Sequence, residues 1–225
     1  MKVAVVTPYY KEDLDTLIRC RTSVVRQTHS DTVHFMLADG FPRKEFKKLK
    51  FHVELPACAD YGDTPRMIGC ALASAHGVDA ICMLDADCWF DIDHVERLVK
   101  VMEKEDASIV TCPRRLWRMD ESYMGVDTES EGDFFNDTNC YLIRRDAFHL
   151  LRVWGLKDKS ISIINDRMVW GAIKESGLKI ARASKATLNY TTSFAVHYAW
   201  RNEEIPKGAK GIHEVDGKFE MVVYE

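Results

Sequence analysis

Apolar and polar positions along the first half of the chain change period from segment to segment, and those changes predict its elements. Val3, Ala4, Val5 and Val6 form a continuous apolar run rich in β-branched residues, the pattern of a strand buried on both faces of a parallel sheet. Pro8 is expected to stop it. Leu14, Leu17, Ile18, Val24 and Val25 then recur at helical spacing, and VHFMLADG reads as a second strand ending on Asp39 and Gly40. A third short strand, FHVEL, leads to a helix predicted over about 65–76, with Thr64 as its cap, Pro65 in the first turn and Gly77 closing it. AICML is the next strand and runs into Asp85. Asp93 and Glu96 have capping-box spacing ahead of a helix whose Val95, Leu98, Val99 and Met102 face inward. SIVTC makes a fifth strand, so the predicted strands fall at 3–6, 33–38, 51–55, 80–84 and 108–112.

Strand and helix alternate over this half, which predicts an α/β fold: a mainly parallel central sheet with right-handed crossovers, in a single Rossmann-like domain over 1–225. Ligands of such sheets bind beyond the carboxyl ends of the strands. Asp39 and the pair Asp85 and Asp87 lie at such ends. The second half reads differently. Residues 113–138 are acidic, aromatic and aperiodic, the pattern of a long loop that serves a site, and strand-like NCYLI and helical segments at about 146–154 and 166–176 follow. His197, in SFAVHYAW, falls on a stretch that reads as alternating and apolar.

Composition narrows the function classes. The 225 residues are 46% hydrophobic and 29% charged, enough to bury a full core. A net charge of −4 provides no electrostatic case for a nucleic acid or an anionic membrane as partner. The basic run Arg43, Lys44, Lys47, Lys48 and Lys50 is broken by Glu45, Phe46 and Leu49, as on a solvated amphipathic face. The seven cysteines are odd in number and contain no C-x-x-C pair, which predicts reduced thiols. MKVAVVTPYYKED is too short in its apolar run for a signal peptide, and no segment reaches membrane-spanning length, so the expected location is cytoplasmic.

The chemistry concentrates at ICMLDADCW. Residues i and i+2 of an extended chain point the same way, so Asp85 and Asp87 can face one ligand, and two hard oxygen donors suit Mg²⁺ or Mn²⁺ bridging to phosphate oxygens. An isolated D-x-D equally suits a turn cap. Arg66, in the first turn of its helix, is in place to reach a phosphate or base, or to form a surface ion pair. Trp89 is expected to pack in the core.

The ordered set of motifs resembles the family 2 glycosyltransferases of the GT-A, or nucleotide-diphospho-sugar transferase, fold. The opening VAVVTPYYKEDLDTLIRCRTSVVRQTHSDTVHFMLADG is similar to their first β-α-β unit, MLDADCWF to their D-x-D, and NCYLIRRDAF followed by INDRMVWGAIKESGLKIA to their acceptor-side segment. The resemblance covers roughly residues 3–183. It implies an inverting, metal-dependent transfer from a nucleotide sugar, preferably a UDP-sugar, to a hydroxyl of a glycan or other acceptor. Residues of about 1–112 would hold the donor and about 113–225 the acceptor. Thr7, Pro8, Tyr9, Asp39, Arg66, Asp85, Ala86 and Asp87 would line the donor site. Asp39 would bond the base, Asp85 the ribose or metal, and Asp87 the Mn²⁺ or Mg²⁺ and diphosphate. Asp166 would be the general base, ionised under the dipole of its helix, and His197 would complete the metal shell. The chain departs from the family pattern at Ala38, where an acidic residue is common, and at Asn165, where a glutamate is. Trp117, Tyr123, Phe134, Phe135 and Trp200 are candidates for stacking on acceptor sugars.

Two other readings use the same residues. A haloacid-dehalogenase-like phosphatase would employ Asp85 and Asp87 as nucleophile and acid, with Thr111, Lys157 or Lys159, and Asp166 as further motifs. A catalytically inactive nucleotide-sugar binding module would keep the pocket without turnover. A sugar nucleotidyltransferase is disfavoured, since VTPYYKED has no glycine for a phosphate loop.

Overall fold

The computed structural model describes residues 1–128, 130, 132 and 135–225. Its centre is a seven-stranded sheet built from β1 (Val3–Tyr9), β2 (Thr32–Asp39), β3 (His52–Leu55), β4 (Ala80–Met83), β6 (Ile109–Thr111), β9 (Tyr141–Arg144) and β10 (Ile180–Arg182). The spatial order is β10-β6-β9-β4-β1-β2-β3. Only β9 runs against the rest, pairing antiparallel with both β4 and β6. The five predicted strands are all present and parallel in direction.

Period-2 alternation divides the core between the two faces of the sheet. Val3, Val5, Ala80 and Cys82 pack with Cys20 and Val24 of α1 (Leu14–Val25) and with Val95, Leu98, Val99 and Met102 of α3 (His94–Glu105). Ala4, Val6, Phe35 and Leu37 pack on the other side with Cys70 and Ala73 of α2 (Asp63–Ala75), the 3₁₀ segment Arg145–Trp154, and α4 (Asn165–Glu175). The result is a three-layer α/β/α arrangement with the strand ends exposed along one edge.

Several local expectations are corrected. β1 continues through Pro8 to Tyr9, because beyond Val6 the strand is paired only with β2 and no ladder bond on the β4 side is lost. Helix α2 starts two residues earlier than Thr64 would allow: Gly62 is its cap, and the Asp60 carboxylate accepts the Thr64 N–H at 3.2 Å and its hydroxyl at 2.5 Å. The capping box at Asp93 does not form, since Asp93 bonds Arg97 and Glu96 bonds Lys100 and Thr28. Residues 113–138 are not one loop. They include β7 (Arg114–Trp117) and β8 (Tyr123–Val126), which join β5 (Trp89–Phe90) and β11 (Leu188–Thr191) in a second sheet of order β5-β11-β7-β8. SFAVHYAW forms a short helix, α5 (Ala195–Trp200), instead of a strand. Beyond it, β12 (Lys210–Val215) and β13 (Lys218–Val223) form a hairpin turned by Asp216 and Gly217, both with positive φ. Among the described residues no helix is long and apolar enough to cross a membrane.

The packing of α2 on the sheet depends on Gly69. A Cβ added there would lie 2.5 Å from Val6 Cγ1 and 2.8 Å from Leu37 Cδ2, both fully buried residues. Gly69→Val is therefore expected to lower the unfolding free energy by about 1–3 kcal/mol through overpacking, read as a lower urea midpoint at unchanged slope. Gly171→Ala on α4, where an added Cβ meets nothing within 4 Å, is expected to raise stability by up to about 1 kcal/mol in the same assay.

Candidate active site

A cleft of about 730 Å³ opens beyond the carboxyl ends of β1, β2 and β4. Pro8, Tyr9, Asp39, Arg66, Asp85, Ala86, Asp87 and Asp166 all line it, so the topology brings together eight of the ten residues singled out from sequence. Thr7 and His197 are the exceptions. Thr7 is fully buried beneath the floor, where its hydroxyl meets His34 Nε2 at 2.9 Å. Asp39 is pinned to the wall by the Cys58 N–H, which donates to Oδ1 at 2.7 Å. The Tyr9 hydroxyl is taken by His52 Nε2 at 2.7 Å and the Arg43 N–H at 3.0 Å, leaving its ring to face the cleft.

Asp85 is a structural keystone of the floor. Arg66 Nη2 reaches its Oδ1 at 2.5 Å, and Asn139 Nδ2 donates to its Oδ2 at 3.0 Å. Asn139 also accepts the Asp85 N–H and donates to Asp137 Oδ1 at 2.8 Å. Asp137 in turn pairs with Arg114, whose Nε donates to Asp127 Oδ2 at 2.6 Å. Burial alone opposes charge on Arg114, but Asp137, Tyr190 and Asp127 more than offset it and hold the guanidinium protonated. Asn139, Asp137 and Arg114 were not singled out from sequence. The signal for Asn139 and Asp137 was the run of short polar residues Asn136–Asn139 directly before an apolar strand, the counterpart in an antiparallel strand of carboxylates directly after a parallel one.

Asp87 and Asp166 are held differently. Asp87 keeps solvent access at its carboxylate but sits low among protein atoms, and this desolvation, followed by the neighbouring Asp85 charge, raises its pKa to about 6. Asp166 opens α4 and accepts the Arg167 N–H at 2.7 Å. Burial and then the Asp137 charge raise it to about 6, so desolvation overrides the helix dipole that was expected to favour its ionised form. Beside it, both polar atoms of the Asn165 side-chain amide are buried without a hydrogen-bond partner among the described residues.

His197 is not brought to Asp87. It lines a separate pocket of about 440 Å³ with Trp200, Asp127 and Arg201. Arg114 Nη2 donates to its Nε2 at 3.3 Å, so Nδ1 carries the proton towards Thr192 Oγ1 at 2.5 Å. Burial and the Arg114 charge lower its pKa to about 4 and keep the ring neutral, with both nitrogens occupied. Among the described residues no group of three or more His, Cys, Asp or Glu converges to hold a metal. Mg²⁺ and Mn²⁺ need only one or two carboxylates when phosphate oxygens and water complete the shell, and Asp87 offers one in the cleft.

The aromatic expectations change as well. Trp89 is half-buried against Trp117 and beneath the Arg19 guanidinium, outside the main core. Trp117, Tyr123, Phe135 and Trp200 lie away from the cleft, and Phe134 lies outside the described residues. Tyr10, Tyr61, Trp154, Tyr190 and Phe194 line the cleft instead. Tyr61 is 60% exposed at its mouth, on a segment where Ala59, Tyr61 and Gly62 all adopt positive φ and the Tyr61 carbonyl accepts Arg66 Nη1 at 2.8 Å. Strained backbone of this kind collects at ligand sites.

Comparison with known proteins places this geometry. Residues 66–153 match the model of glycosyl transferase family 2, a segment that contains Arg66, Asp85, Asp87, Asp137 and Asn139. No curated protein matches the sequence. In fold, the chain is similar to S. aureus TarS (TM-score 0.66, 13% identity, 88% of this chain and 38% of that one). It is likewise similar to S. aureus TarS 1–349 in complex with UDP (TM-score 0.65, 11% identity, 85% and 61%) and in complex with UDP-GlcNAc (TM-score 0.60, 11% identity, 85% and 59%). The chain spans less than two thirds of the length of these structures. The segment that carries the D-x-D thus resembles glycosyl transferase family 2, and the fold is the GT-A fold of these structures.

Proposed function

We propose that the protein transfers a sugar from a nucleotide-diphospho-sugar to an acceptor hydroxyl, with inversion at the anomeric carbon. The observation that carries this reading is the convergence of Asp87 and Asp166 on one cleft, from a strand end and a helix start. Residues of about 1–112 supply the donor side and about 113–225 the acceptor side, with Asp166 as the base. UDP is the favoured nucleotide because the similar TarS structures are complexes with UDP and UDP-GlcNAc. Seven free cysteines, six of them buried, are consistent with a reducing, cytoplasmic setting.

In this reading Asp39 and Tyr9 flank the base, and Asp85, locked by Arg66 and Asn139, fixes the floor under the ribose. A divalent cation held by Asp87 with the diphosphate oxygens would supply charge neutralisation for the leaving group. Asp166 takes the acceptor proton as the hydroxyl attacks. A carboxylate titrating near 6 is ionised at neutral pH and still binds a proton better than an ordinary aspartate does, which suits a general base. The phosphatase alternative requires Asp85 as a free nucleophile, whereas both of its oxygens are engaged.

Asp166→Asn is expected to reduce sugar transfer about 10²–10⁴-fold while UDP affinity changes by no more than a small factor, because the donor side is not built from Asp166. In the wild type, kcat/KM should fall as pH drops through about 6, where Asp166 and Asp87 both gain protons, with a slope steeper than one group gives. Undiminished transfer by the variant, or product of retained anomeric configuration by proton NMR, removes Asp166 from the role.

Asp87→Ala is expected to abolish the enhancement of UDP binding by Mn²⁺. Calorimetric titration of UDP with and without the cation reads this directly, and equal enhancement in both proteins overturns the metal role of Asp87.

A further inference from the structure

We propose that Lys210, carried by the β12–β13 hairpin, binds the diphosphate of the donor, so that the hairpin is a wall of the donor site. The inference rests on the nucleotide-sugar reading above and adds to it a residue outside the segment that the family model matches.

Charge is the first argument. Carboxylates dominate the cleft: Glu12, Asp39, Asp87 and Asp166 line it in addition to those in the floor network and to Asp63 and Asp60, which Lys157 and Lys159 face. Such a surface repels a diphosphate unless cations offset it. Among the described lining residues only Arg66 and Lys210 are cationic, and Arg66 is committed to Asp85 and the Tyr61 carbonyl. Lys210 makes no ion pair or side-chain hydrogen bond among the described residues, and its side chain is exposed.

Geometry is the second. The Lys210 N–H donates to the Ser193 carbonyl at 2.6 Å, and Lys210 bridges Phe194, so the start of β12 is tied to two residues that line the cleft. In the hairpin Lys210 opposes Val223 and Ile212 opposes Met221. Opposed residues and those two apart share a face, so the Lys210 side chain leaves the hairpin on the face that presents Met221 to the cleft. The strand β13 packs on the segment Lys159–Ile164, which brings Ser162 and Ile163 to the same cavity. An ammonium on a flexible stem at this rim is suited to a diphosphate as a mobile point charge.

The test compares ligands that differ in phosphate. In the full chain, Lys210→Ala is expected to weaken UDP binding about 5- to 20-fold in calorimetry, both with and without Mn²⁺, while uridine affinity is unchanged; Lys210→Arg should restore most of the loss. Dependence of the effect on salt should follow, since a rim charge is screened. Equal UDP affinity in Lys210→Ala and wild type overturns the inference, as does a parallel loss of uridine binding that Lys210→Arg does not rescue. A wild-type chain that binds uridine diphosphates no better than uridine overturns this inference and the nucleotide-sugar reading together.

Discussion

A buried amide between two carboxylates sets the geometry of the cleft. Asn139 donates through one nitrogen to both Asp85 and Asp137, and accepts from the Asp85 backbone. Two aspartates brought this close would repel, and one would protonate, were they not separated by a donor and flanked by cations. Arg66 on one side and Arg114 on the other provide the flanking charge. The network thereby ties β4, α2, β7 and the start of β9 into one floor. Removal of a single member leaves a buried charge uncompensated, which costs more than the pair contributes when intact.

That floor explains why the two acidic groups facing the ligand differ from those beneath it. Asp85 is satisfied on both oxygens, whereas Asp87, two residues on, emerges into the cleft with only the Cys88 thiol beside it among the described residues. Asp166 approaches from the opposite wall and feels the Asp137 charge through the same network. Burial and like charge raise both groups towards neutrality, so Asp87 and Asp166 respond to pH near 6 beside a carboxylate, Asp85, that is tied on both oxygens.

The first half of this arrangement was legible because its strands are buried on both faces and read as continuous apolar runs; Val3–Val6 and Ala80–Met83 leave no other choice, and the aspartates directly after them mark the ligand edge. The second half was legible only in part: β9, the 3₁₀ segment Arg145–Trp154 and α4 fall where their patterns place them, but the second sheet was hidden. Arg114 and Arg115 occupy β7, where the expected signal is alternation of apolar residues; their charges are absorbed by Asp137 and Asp127 and by Asp91, partners that only the tertiary fold supplies. His197 read as a strand residue because SFAVHYAW is too short to reveal a helical period. Its pairing with Arg114, which takes it away from Asp87, depends on the second sheet that the pattern hid. The Asp216–Gly217 turn was readable in principle, since an Asp-Gly pair between two short strands is a strong hairpin signal.

The two walls of the cleft consequently have unequal mechanical character. One side is formed by the buried carboxyl-terminal residues of β1, β2 and β4 and by a helix that meets the sheet at the contact distance of a glycine. The opposite wall ends in a hairpin whose outer residues, including Val215 and Val223, are largely exposed, and which is tied back by backbone bonds from Lys210 to Ser193 and between Tyr224 and the 208–209 turn. Little apolar area and few protected hydrogen bonds place such an element at the low end of the local stability range. The cleft therefore lies between a rigid floor and a yielding rim, so the floor sets the positions of its acidic groups while the rim sets its opening.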